Sequence, residues 1–378
     1  MSLRCMSLAI VAGAILNLNA CTRLEPLPEW VQTPTPQELD EVLSGAVLFD
    51  APISDFTLPD YPLFELTPQM RMLAEEVALQ HRGASARAEA LHQLLLSSPM
   101  TGGLGLRYSA LETATAGEAF EDRRINCLSF TLIYVAMARH MGLKAEVNDV
   151  QIPPSWDLRD DETFLLFRHV NAKVMLPFGD QLVIDLEMER YSPMYDQTVI
   201  DDQRVAAQFY NNRGMELIAK GQRREGFLHL REALSLDPQQ SFVWNNLGTL
   251  YKREGHERQA EIAYLQGLAL TPSDLTLMSN LNSLYQATGQ EHRAAYFYQR
   301  AREHRNSNPY YLYSLAQEQL AGGNLVEAER YLKAAMNQES HEPRFYALAA
   351  EIYDRRELPE KADAMREKAQ RWKEEVYL

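Results

Sequence analysis

The apolar positions of the chain follow two regimes. Up to about residue 190 they switch between helical and alternating spacing, and from 207 onward they are helical throughout. Between Pro68 and Pro99 no proline intervenes. Met70, Leu73, Val77, Ala78, Ala84, Ala88, Leu91, Leu94 and Leu95 recur there at helical intervals, which predicts two helices over 66–99, broken near Gly83 with Ser85 as a cap. Thr115 followed by Glu118 predicts a capped short helix over 116–122. The chain is then mostly polar up to Cys127 and becomes apolar at helical spacing through Leu128, Phe130, Ile133, Tyr134, Met137, Ala138 and Met141, with Gly142 as its stop. That is a buried helix with a cysteine in its first turn. Alternating runs predict strands at about 144–152, 163–176 and 181–187, the last two joined as a hairpin through Leu176-Pro177-Phe178-Gly179-Asp180-Gln181. Residues 21–65 hold too many prolines for regular structure apart from a short helix near 36–46, and read as a tether or extended arm.

A thiol at a helix start meets unpaired N–H groups and the positive end of the dipole, which favour the thiolate. His169 and Asp185 lie on neighbouring strands of the predicted hairpin, where cross-strand contact brings side chains together. A cysteine, a base and an orienting carboxylate are the parts of an acyl-transfer site. The competing reading of Cys127 is a buried, inert core residue. The runs TATAGEAFEDRRINCLSFTLIYVAMARHMGLKAEV, RHVNAKVML and LVIDLE resemble the transglutaminase-like superfamily over about residues 105–190. The resemblance implies a papain-like triad with Cys127 as nucleophile, His169 as general base and Asp185 orienting it. Asn126 stands where many relatives have glycine, Leu128 where many have tryptophan, and Leu186 where proline usually follows the aspartate. Asn126 and Trp156 are candidate substrate-pocket residues, with packing an equal reading for Trp156. His81 and His92 read as surface or packing residues, and His140 as a complement to the helix dipole. The chemistry calls for no cofactor, and the dispersed Cys and His residues make no zinc pattern.

Aligning Pro238 with Pro272 gives a period of 34 and five units, 207–240, 241–274, 275–308, 309–342 and 343–376. Position 8 is Gly214, Gly248, Asn282, Ala316 and Ala350; position 20 is Gly226, Ala260, Ala294, Ala328 and Ala362; position 27 is Ala233, Gly267, Ala301, Ala335 and Ala369. Small residues at fixed places let paired helices cross closely, and the pattern resembles the tetratricopeptide repeat family. The resemblance implies a solenoid with a concave groove lined by the first helix of each unit. Asn211, Asn212, Asn245, Asn246, Ser279, Asn280 and Tyr313 are the candidate groove residues, the asparagines suited to hydrogen bonding an extended peptide backbone, with solvated helix positions an equal reading. The fold class is therefore an α+β thiol-enzyme domain over 66–190, a helix packed on a small antiparallel sheet, then a connector over 191–206 and an all-α repeat solenoid over 207–376.

Composition narrows the partners. The chain has 378 residues and a formal charge of -15, with a pI near 5.1, and no basic tract stands out. Nucleic acid is not an expected partner, because phosphate binding wants a basic face. Three cysteines are present, Cys5, Cys21 and Cys127. MSLR is followed by an apolar segment over 6–18 and by Leu18-Asn19-Ala20-Cys21, which resembles a bacterial lipoprotein signal. The resemblance implies removal of residues 1–20, lipid on Cys21 and, with Thr22 next, an outer-membrane location facing the periplasm. Cys127 is then the one free thiol of the mature chain, and no intramolecular disulfide can form. Together these readings describe a lipid-anchored envelope enzyme that cleaves or rearranges amide bonds of a polypeptide recruited by the repeats. The alternatives are a non-catalytic assembly scaffold and an amide-to-amine crosslinking transglutaminase.

Overall fold

The computed structural model describes residues 27–53, 57–109, 113–151, 156–160, 163–166, 169–186, 191–306 and 308–375. The chain divides into two compact units, Met1–Gln32 and Thr33–Leu378. Of the first, residues 27–32 contain a turn closed by the Val31 amide donating to the Pro28 carbonyl at 2.8 Å. Cys21 lies outside the described residues.

The second unit opens with helices α1 (Pro36–Ser44) and α2 (Ala46–Phe49). Thr35 and Glu38 form a full capping box at the start of α1, and Gly45 supplies the left-handed turn, φ 69°, between the two. Helices α3 (Pro68–Gln80) and α4 (Ala84–Leu96) follow, broken where the pattern placed the break. Gly83, at φ 90°, occupies the cap position of α4; Ser85 sits inside the helix and donates to Glu89 Oε1 at 2.8 Å. Strand β1 (Arg107–Tyr108), helix α5 (Ala116–Asp122) and strand β2 (Arg124–Ile125) lead to α6 (Cys127–His140), and the predicted Thr115–Glu118 box caps α5. Every residue of α6 from Leu128 to Ala138 is buried. A helix apolar on all sides needs partners on all sides. It packs against α3, α4 and α5, and against two central strands of the sheet.

The strands are β3 (Lys144–Val150), β4 (Trp156–Asp160), β5 (Thr163–Leu166), β6 (His169–Met175), β7 (Gln181–Ile184) and β8 (Gln197–Ile200). The main sheet is antiparallel with order β7-β6-β3-β8. The run expected as one strand over 163–176 is two, β5 pairing back on β4 and β6 carrying His169 at its first position. The connector is not a plain linker, since β8 within it forms the sheet edge beside β3.

Five antiparallel helix pairs complete the chain. They are α7 (Asp202–Ala219) with α8 (Arg223–Leu236), α9 (Ser241–Arg253) with α10 (Glu257–Leu270), α11 (Leu275–Ala287) with α12 (Glu291–Asn306), α13 (Pro309–Ala321) with α14 (Leu325–Gln338), and α15 (Pro343–Arg355) with α16 (Pro359–Glu375). Helix α7 starts before the first unit of the repeat, capped by Asp201, and Arg139 at the end of α6 grips Asp202 through two bonds of 2.7 and 2.9 Å. Ile200, Val205 and Phe209 belong to the same apolar cluster as α6, so the array and the sheet share one core. The arm is docked as well. Phe49 packs edge-on against Phe227 at 5.5 Å, Tyr251 hydrogen-bonds the Val42 carbonyl, and Gln259 donates to Glu41 at 2.7 Å. Its helical part is therefore latched to the first two repeats, as an arm and not as a tether.

Candidate functional site

The sheet and α6 bring the three separated residues together. Asn126 caps α6, its Oδ1 accepting the Ser129 amide at 2.8 Å, and this puts Cys127 at the first helical position, half-buried. Ser129 Oγ is tied both ways to the Ala114 backbone, at 2.9 and 3.0 Å, so the segment before α5 clamps that first turn. In β6 the even residues Val170, Ala172 and Val174 join the apolar cluster, while the odd residues His169 and Asn171 carry polar groups. Asp185 directly follows β7, whose Ile184 pairs with Ala172, so the ladder carries the carboxylate toward Asn171 and His169.

The carboxylate and imidazole are buried together, with Asp185 at 0% and His169 at 4% exposure, and His169 Nε2 meets Asp185 Oδ2 at 2.6 Å. The Cys127 thiol also acts on this imidazole, adding to the upward pull of Asp185. With Nε2 facing the carboxylate, Nδ1 is the nitrogen left for sulfur. Burial by itself pushes the imidazole down, but the hydrogen bonds and charges of Asp185 and Cys127 outweigh it and raise His169 from 6.5 to about 10. A histidine raised in this way stabilises the fold fully below its ordinary value, and that contribution is lost as pH rises through about 10. The melting-temperature advantage of the wild type over His169→Gln is therefore expected to shrink between pH 7 and pH 10.5. A constant difference across that range would contradict the assignment.

Three neighbours escaped the sequence reading. Asn171 Nδ2 donates to Asp185 Oδ2 at 2.9 Å, and Asn148 Nδ2 donates to Asn171 Oδ1 at 2.8 Å and to Gln197 Oε1 at 3.1 Å. His92, read as a surface or packing residue, holds the Asp185 carbonyl at 3.1 Å, and burial lowers its basicity, consistent with a neutral ring donating from Nε2. The signal for the asparagines was present in the alternation His169-Val170-Asn171, which places two polar side chains on one side of a strand. Trp156 begins β4. On the other side of Cys127, Asn126 Nδ2 donates to Thr113 Oγ1 at 2.9 Å, and the Thr113 amide donates to Glu216 Oε1 of α7 at 2.7 Å. Glu216 Oε2 pairs with Arg213 at 3.1 Å, and burial pushes the carboxyl up against the opposing pull of Thr113 and Arg213.

The predicted groove residues divide into two groups. Asn246 Nδ2 donates to Asn211 Oδ1 at 2.8 Å, and Asn280 Nδ2 donates to Asn245 Oδ1 at 2.7 Å, each bond linking the first helices of successive units. Asn211 also donates to Asn212 at 3.2 Å. Ser279 is half-buried on α11 beside this ladder. Tyr313 packs against Phe345 at 5.2 Å and joins the core of the last two units.

The tetratricopeptide repeat family model matches residues 207–240 and 243–274. Solved structures similar to this chain include Pseudomonas aeruginosa pilF, at 15% identity over 46% of this chain and 78% of that one, with a TM-score of 0.36. Another is YrrB, a TPR protein with an unusual peptide-binding site, at 21% identity, 44% and 86% coverage and a TM-score of 0.28. A third is MamA, residues 41 to the end, from Desulfovibrio magneticus RS-1, at 14% identity, 46% and 97% coverage and a TM-score of 0.32. No curated protein matches the chain. Residues 207–240 and 243–274 thus match tetratricopeptide repeats, and the helix pairs after them continue the same 34-residue period.

Proposed function

We propose that this repeat-bearing chain is a cell-envelope thiol enzyme, in which the array recruits a polypeptide and Cys127, His169 and Asp185 act on one of its amide bonds. The observation that carries the reading is the buried Asp185–His169 bond of 2.6 Å, beside a half-buried thiol at a helix start that helps raise the same ring. An imidazole this basic holds its proton at neutral pH, where it is the positive partner that a Cys127 thiolate needs. Sulfur then adds to the carbonyl carbon, His169 gives the proton to the departing amine as the C–N bond breaks, and a thioester remains. Water, activated by the same ring, releases the acid and regenerates the thiol; an amine in its place would give transamidation. The Cys127 amide at the helix start is the natural donor to the developing oxyanion. Asn126, next to Cys127, and Trp156 are the candidate pocket residues. The lipoprotein-like leader supports an anchor at Cys21, with the outer membrane facing the periplasm as the expected location.

The test is the rate of Cys127 alkylation by iodoacetamide. The wild type is expected to react at least about tenfold faster than His169→Ala at pH 7, the loss of one charge-assisted hydrogen bond. Equal rates would sink the enzymatic reading. A second reading, an assembly scaffold whose thiol site is inert, is favoured by the family match, which falls wholly within the repeats. It would be supported if Cys127→Ala kept the same captured partners and left cell behaviour unchanged.

A further inference from the structure

We infer that the first repeat is part of the thiol site, with Glu216 of α7 a positioning residue that fixes the start of α6 through Thr113 and Asn126. The inference rests on the reading of Cys127 as the nucleophile. The first turn of a helix leaves four N–H groups without helical partners, and its orientation depends on what takes them. Here Asn126 takes the Ser129 N–H, and the Thr113–Ala114 segment in turn holds the Asn126 side chain and the Ser129 hydroxyl. Glu216 holds this segment from 103 residues away in sequence, by the Thr113 amide at 2.7 Å. Thr113 is 2% exposed and Glu216 7%, so the link runs through the interior, where a mismatched polar group is costly.

The repeat's own stacking does not ask for a carboxylate there. Glu216 is position 10 of the first unit. The same position is Leu250, Leu284 and Ile352 in the second, third and fifth units, all buried and apolar, and in the fourth it is Glu318, which is exposed. Burying a charged group at an apolar position carries a desolvation cost that Arg213 and Thr113 offset. What the carboxylate adds is a hold on the segment that clamps the turn bearing Cys127. About one turn before it, Asn211 belongs to the asparagine ladder and donates to Asn212, so the ladder and the thiol are joined through α7.

The test is the pH profile of Cys127 alkylation by iodoacetamide, from pH 5.5 to 9, in the whole chain. Glu216→Leu installs the residue that other units carry, so the repeat stays packed while the hold is lost. Thr113→Val removes only the hydroxyl link to Asn126. Both are expected to slow alkylation about two- to tenfold and to displace the profile, while Glu216→Gln, which keeps an acceptor for Thr113, stays within about twofold of wild type. A wild-type rate and profile in either folded variant would overturn the inference; Thr113→Val decides it if Glu216→Leu fails to fold. His169→Ala in the same assay separates the two questions. If His169→Ala is slow and Glu216→Leu and Thr113→Val are not, the positioning role alone is wrong. If His169→Ala matches wild type, the nucleophile reading falls and takes this inference with it.

Discussion

Replacing Asp185 by alanine is expected to cost the sheet about 3–5 kcal/mol, because it leaves a buried partner without its counter-charge. His169 is 4% exposed and faces the carboxylate at 2.6 Å, and the Asn171 amide points at the same oxygen at 2.9 Å. Alanine would strand both donors where water does not reach. Asparagine is the contrasting change, since its carbonyl oxygen still accepts from both groups while the charge is gone. Asp185→Asn is therefore expected to fold within about 1–2 kcal/mol of wild type yet lose most of the thiol's reactivity. Urea unfolding followed by hydrogen exchange at the α6 and β6 amides separates the two effects. An Asp185→Ala protein with wild-type protection at those amides would mean that the carboxylate is not buried against the imidazole.

The second large effect is expected in the array. Helices α7 and α8 cross backbone to backbone at Gly214 and Gly226. A Cβ at Gly226 would sit 2.5 Å from Ile218 Cγ1 and 2.7 Å from the Gly214 carbonyl oxygen, and a Cβ at Gly214 would sit 2.9 Å from the Gly226 carbonyl. A side chain can turn away, but a carbonyl in a helix cannot move without its neighbours. Gly226→Val is expected to cost about 3 kcal/mol or more, at the upper end of overpacking penalties. Because Glu216 lies on α7 between Gly214 and Ile218, alkylation of Cys127 should slow as well. Ala328→Val alters the same position of the fourth unit and should loosen its helix pair while leaving the thiol at its wild-type rate. Melting curves and alkylation rates measured side by side give the comparison. Equal thiol rates in the two variants would contradict the link between first repeat and site.

What could be read from the sequence was whatever left a periodic mark. The period of 34, the buried helix after Cys127, the Thr115 cap and the hairpin ending at Asp185 all did so. The partners of the site left weaker marks. Asn171 and Asn148 meet across a ladder whose register is set only when β3 and β6 pair. His92 reaches a carbonyl 93 positions away, and backbone acceptors have no sequence signature. Strand β8 is four residues, Gln197–Ile200, too short to separate from a linker by alternation. The docking of α1 and α2 was hidden for a related reason. Their contacts are single residues set against α8, α9 and α10 rather than a stripe. The groove residues share a type but not a role: Asn211, Asn245, Asn246 and Asn280 form the interhelix ladder, whereas Tyr313 is committed to packing.

The latched arm also sets a leash. A free tether over residues 21–65 would let the domain range roughly 150 Å from a lipid on Cys21, at about 3.4 Å per extended residue. With helix α1 capped by Thr35 and fastened to the second repeat, the sequence between Cys21 and that latch is the thirteen residues 22 to 34. That is at most about 45 Å at the same extension. If Cys21 carries the lipid proposed above, a chain held that close would patrol a thin layer next to its membrane, and would meet only what resides in, or is threaded through, that layer.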